Sequence, residues 1–100
     1  MGKVQVDVDI KELIPGFLQN LDKSLKEIES NISAGSFEAV KKACHTIKGA
    51  AGGYGFDRVS QIAGDMQGLA EAQKKDDLNS HLAEIRSYLG EIEIEYVEMD

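Results

Sequence analysis

The stretch Pro15–Ser33, PGFLQNLDKSLKEIESNIS, decides the fold class. Its apolar residues Phe17, Leu21, Leu25, Ile28 and Ile32 recur in steps of four, four, three and four, which sets them on one face of an α-helix. Pro15 suits the first turn, where its missing N–H leaves no helical hydrogen bond unmade. Ser33-Ala34-Gly35-Ser36 ends the helix, with Gly35 as a left-handed cap. A helix with one apolar face has to bury it against other elements.

The rest of the chain supplies three partners. Ser36 is placed to N-cap a second helix, with Glu38 in its positively polarised first turn. Phe37, Val40, Cys44, Ile47 and Ala51 form its apolar stripe, and Gly52-Gly53-Tyr54-Gly55 ends or bends it. A third helix runs from about Asp57 through Val59, Ile62, Ala63, Met66, Leu69 and Ala70. Lys74-Lys75-Asp76-Asp77 is a polar break, and Leu78, Leu82, Ile85 and Leu89 mark a fourth helix. Four amphipathic helices with short connections predict an all-α fold, an antiparallel up-and-down four-helix bundle over about residues 11–90. The 100 residues fit a single domain, 1–100.

The two ends carry a different period. Val4, Val6, Val8 and Ile10 alternate with polar residues, as do Ile92, Ile94 and Tyr96. In an up-and-down bundle the first helix begins where the fourth ends. The ends, 3–10 and 91–98, are therefore expected to pair as a short antiparallel two-stranded β ribbon, with Gly90 stopping the fourth helix. The competing reading continues the fourth helix through Ile92 and Tyr96, which keep a three-four step from Leu89.

Composition narrows the function. A net charge of −7 argues against nucleic acid and anionic membrane surfaces as partners. No apolar run is long enough to span a bilayer, and the N-terminus lacks the continuous apolar stretch of a signal peptide. The single cysteine, Cys44, cannot form an internal disulfide, so a cytoplasmic location is the default. Two histidines and one cysteine give no convincing metal set, and no phosphate-binding loop or dinucleotide fingerprint is present. No cofactor is therefore expected.

On the second helix, at about 100° per residue, Lys41, His45, Lys48, Gly49 and Gly52 lie opposite the apolar stripe. A lone histidine on such a face is ordinarily a solvated residue. Its neighbours make this one different. Lys48 at i+3 can reach the space over the imidazole, and Gly49 at i+4 leaves that space clear. A neutral imidazole is a good nucleophile near neutral pH, and an ammonium stabilises the oxygens of a phosphoryl group placed on it. Each mid-helix glycine costs about 1 kcal/mol relative to alanine, so Gly49, Gly52 and Gly53 need a reason: close helix packing or partner access. Cys44 sits about 100° round the helix from His45 and reads as core. His81 has no lysine–glycine companion and reads as solvated.

The segment His45-Thr46-Ile47-Lys48-Gly49-Ala50-Ala51-Gly52-Gly53-Tyr54-Gly55 resembles the signature of histidine-containing phosphotransfer (Hpt) domains. That signature has His, any residue, an aliphatic, Lys, Gly, two small residues and a large apolar residue before Gly. The likeness extends over roughly residues 11–90. It implies a phosphorelay intermediate of two-component signalling, a phosphocarrier rather than an autonomous enzyme. His45 would accept a phosphoryl group from a receiver-domain aspartate and pass it to another receiver. Lys48 would stabilise the phosphoryl group, Gly49 would clear the partner's approach, and Gln67 would hydrogen-bond and orient the imidazole. The partners implied are response-regulator receiver domains or a hybrid histidine kinase, with Mg²⁺ on the receiver. Lys41, Lys42 and Arg58 are further candidates to meet the receiver's acidic pocket. Two rival readings are a phosphoacceptor domain of a chemotaxis-type histidine kinase and a helical binding module without phosphotransfer.

Overall fold

The computed structural model describes residues 2–98. Four helices, α1 (Ile14–Ala34), α2 (Phe37–Gly53), α3 (Asp57–Glu71) and α4 (Lys75–Glu91), form the up-and-down bundle. They are flanked by strands β1 (Gly2–Asp7) and β2 (Ile92–Val97), and a 3-10 turn, Val8–Leu13, links β1 to α1. The apolar periods in the sequence are the buried faces. Ile14, Leu21, Leu25, Ile28 and Ile32 of α1 meet Val40, Cys44, Ile47 and Ala51 of α2 in one continuous core. Val59, Ile62, Ala63, Met66 and Ala70 of α3 and Leu78, Leu82 and Ile85 of α4 complete it.

The turns follow local chemistry. Pro15 occupies the first turn of α1, and Gly35 closes that helix at φ 74°, with the Ser36 N–H donating to the Asn31 carbonyl at 2.8 Å. Ser36 does occupy the N-cap position of α2, but its side chain makes no capping hydrogen bond. Gly55, after α2, stands at φ 92°, and a Cβ there would lie 3.2 Å from the Gln5 carbonyl oxygen. Only glycine lets β1 lie this close to the α2–α3 turn. Gly90 does not stop α4: the helix continues to Glu91, and the backbone becomes extended at Ile92.

The chain ends do pair as a two-stranded sheet, which excludes a helical continuation through Ile92 and Tyr96. Its direction differs from the expectation, because the strands are parallel, with Val4 opposite Ile94 and Val6 opposite Tyr96. The reason is the 3-10 turn. Asp7 accepts a hydrogen bond from the Asp9 N–H at 2.9 Å, which starts a tight turn and reverses the chain before α1. Val8, expected in the strand, belongs to this turn and is exposed. Val4 and Val6 are buried against the bundle, which anchors a ribbon too small to be stable alone.

Small residues bring α2 and α3 together. A Cβ on Gly52 would touch the Ser60 hydroxyl at 3.4 Å, and that hydroxyl donates to the Lys48 carbonyl at 2.8 Å. This narrow seam sets the distance between the outward faces of the two helices. Ion pairs Arg58–Glu84 and Arg86–Glu29 tie α4 to its neighbours from the outside. Pairs this exposed contribute at most about 1 kcal/mol each. None of the described helices is long and apolar enough to cross a membrane.

Candidate functional site

His45 lies mid-way along α2 with its ring exposed, while its sequence neighbour Cys44 is fully buried. Burial pushes the Cys44 thiol up to about 11, so it stays protonated and unreactive at neutral pH. Across the α2–α3 seam, the Gln67 amide approaches His45: Nε2 of the glutamine is 3.3 Å from Nδ1 of the imidazole. The amide can donate N–H to a bare Nδ1 or, rotated by a half-turn, accept from Nδ1–H through Oε1. Either way Nδ1 is the engaged nitrogen, and Nε2 is left for chemistry.

A shallow cavity beside the ring is lined by Glu38, Lys41, Lys42, His45, Thr46 and Gln67. Helical side chains lean towards the N-terminus of their own helix, so the ring of His45 covers the turn that carries Lys41 and Lys42. Lys41 also faces α3, where its Nζ lies 3.6 Å from a carboxylate oxygen of Glu71. The two contacts form a rectangle. His45 and Lys41 are one turn apart on α2, and Gln67 and Glu71 are one turn apart on α3.

Gly49 stands in the open: a Cβ there would meet nothing within 4 Å. Close helix packing therefore does not account for this glycine. Lys48 is placed differently from the expectation. Its stem lies along α3, where a Cβ on Gly64 would be 3.5 Å from Cδ and 3.8 Å from Nζ. It borders a separate recess with Ser60, Gln61, Gly64 and Asp65. Arg58, at the start of α3, pairs with Glu84 and lines a hollow beside β1, about two and a half turns from Gln67. His81 is half-buried rather than fully solvated, and its Nδ1 is 2.8 Å from the Asp77 carbonyl one turn back on its own helix.

Two features escaped the sequence reading. The Lys41–Glu71 pair is one, although Glu71 follows Gln67 by four residues as Lys41 precedes His45 by four. The other is a second pair of mid-helix glycines, Gly64 and Gly68, on either side of Gln67. A Cβ on Gly68 would likewise meet nothing within 4 Å.

A model of the Hpt domain family matches residues 12–95, which include all four helices in full. The chain belongs to the Hpt domain family. Membership carries the family's general function, phosphotransfer in two-component signalling. The Hpt match runs on past α4 into β2, so this part of the ribbon falls within the matched region. No curated protein and no solved structure gives a significant match.

Proposed function

We propose that His45 is the phosphoacceptor of this Hpt domain, taking a phosphoryl group from a receiver aspartate and delivering it to a second receiver. One observation carries the reading: an exposed imidazole whose Nδ1 is engaged by Gln67, with Nε2 left over. In the reactive form the proton sits on Nδ1 and the Gln67 carbonyl oxygen accepts from it. The lone pair of Nε2 attacks phosphorus in line. The N–P bond forms as the P–O bond to the aspartyl carboxylate breaks, and that electron pair stays on the carboxylate. Delivery to the second receiver is the reverse step. Such transfer is mainly positioning and charge stabilisation.

Gln67 orients the ring. Gly49, with open space above it, lets the receiver close over phosphorus. Lys48 reaches the phosphoryl oxygens by swinging its flexible stem off Gly64, and as a mobile ammonium it needs no fixed geometry. Mg²⁺ and the donor aspartate belong to the receiver, and the chain needs no cofactor of its own. A cytoplasmic location is part of the same reading. The test is incubation with a phosphorylated receiver. An acid-labile, base-stable phosphate should appear on the chain and vanish in His45→Gln with the fold retained, whereas labelling that survives the substitution refutes the assignment.

A further inference from the structure

The sequence points to Lys48 as the cation of the site, but the structure puts a different ammonium in the cavity beside His45. Lys48 borders another recess, whereas Lys41 lines the same cavity as His45 and Gln67. The N-terminal lean of helical side chains tips the imidazole towards the turn of Lys41 and away from that of Lys48. Lys41 is also held in place. Its stem is half-buried and its Nζ is 3.6 Å from Glu71, which continues the α3 face that holds Gln67.

We propose that Lys41 is a second phosphoryl-binding cation of the site, kept in position by Glu71 until a phosphoryl group on His45 competes for it. The proposal rests on the reading of His45 as phosphoacceptor. Phosphorylation adds about −1.5 to −2 charges at neutral pH, more than the single charge of Glu71. The Lys41–Glu71 pair is exposed enough to exchange, with side-chain exposures of 40% and 72%. Lys41 therefore turns towards the phosphoryl oxygens and Glu71 is released to solvent. Glu71 thereby sets how strongly the site holds its phosphoryl group: a weaker carboxylate partner frees Lys41 for it. Glu38 and Lys42 complete the charged lining on the α2 side, and Lys42 serves as the control.

The experiment phosphorylates His45 with potassium phosphoramidate, so no protein partner is needed. The Nε2–P bond forms as the P–N bond of the reagent breaks and its electron pair leaves with ammonia. The ³¹P resonance is then titrated with pH. A nearby cation favours the ionised phosphoryl and lowers the midpoint. Lys41→Gln, which keeps most of the stem, should raise the phosphoryl proton affinity by about two- to fivefold, the range expected of an exposed ion pair. Lys42→Gln should change it less. Glu71→Gln should lower it, and by less in the Lys41→Gln background, where only direct repulsion by Glu71 is left to remove. An unchanged midpoint in Lys41→Gln, or an equal effect of Glu71→Gln in both backgrounds, overturns the proposal while leaving His45 as phosphoacceptor. A wild-type chain that takes no phosphate on His45 overturns both.

Discussion

Gly49 offers a direct test because its cost to the fold and its use to the function have opposite signs. It lies inside α2, and a Cβ added there meets nothing within 4 Å. Gly49→Ala therefore carries no steric term. What remains is backbone entropy and helix propensity, about 0.8–1.0 kcal/mol in favour of alanine. For a domain of this size 1 kcal/mol moves the melting temperature by about 4–8 °C. Gly49→Gln should also stabilise, by somewhat less, since glutamine lies a few tenths of a kcal/mol below alanine in propensity. Thermal unfolding followed by circular dichroism measures both variants. Phosphotransfer from a phosphorylated receiver, measured on the same samples, should fall in the order wild type, alanine, glutamine. A destabilised Gly49→Ala would show that the position is packed. A stabilised Gly49→Gln that transfers at the wild-type rate would show that the glycine clears nothing.

Other positions yield sharp expectations. Gly35 and Gly55 both have positive φ, but only Gly55 faces the Gln5 carbonyl, at 3.2 Å. Alanine at Gly35 should cost the left-handed backbone term alone, about 1–2 kcal/mol, and alanine at Gly55 should cost more. Hydrogen exchange separates the two: β1 amides should exchange faster in Gly55→Ala and unchanged in Gly35→Ala. The Cys44 thiol, raised from 9.0 to about 11, holds its proton more tightly folded than unfolded. Its contribution is thus complete below pH 9 and is lost as pH rises to about 11, so denaturant titrations should show wild type losing more stability than Cys44→Ala over that window.

The four helices were legible because each keeps its apolar residues in three-four steps for at least three turns, and nothing else in the chain competes for those faces. The ends were half legible. The alternation at Val4 and Val6 is that of a strand, but Val8 and Ile10 extend the same pattern into a 3-10 turn. The stop is Asp7, whose carboxylate binds the Asp9 N–H, and period-two counting does not register that turn. Reversal at this point is what makes the strands parallel. Gly90 misled because propensity is a weak prior against packing: the half-buried Tyr88 and Leu89 hold the last turn of α4 helical through it.

The site divides in the same way. His45 and Gly49 could be placed from the helical wheel, and burial follows the wheel closely. Gln67 reads as an ordinary surface glutamine until α2 and α3 are packed, since the pairing depends on the Gly52–Ser60 seam. Spacing puts Lys48 one turn from His45, but the N-terminal lean of helical side chains carries the ring towards Lys41 instead. Arg58 is near His45 only if α2 and α3 are imagined to meet at their adjoining ends. In the antiparallel pair, Gln67 faces His45, and Arg58 lies nine residues away, about 13 Å along the helix axis.

The proposed transfer puts the phosphoryl group on Nε2 of His45, because Gln67 occupies Nδ1. Nitrogen-15 labelling of the histidines, followed by NMR of the ring nitrogens after transfer from a phosphorylated receiver, tests it most directly. ¹⁵N–³¹P coupling is expected at Nε2 of His45, with His81 unmodified. Phosphate on Nδ1 of His45, on His81, or on no histidine would contradict it.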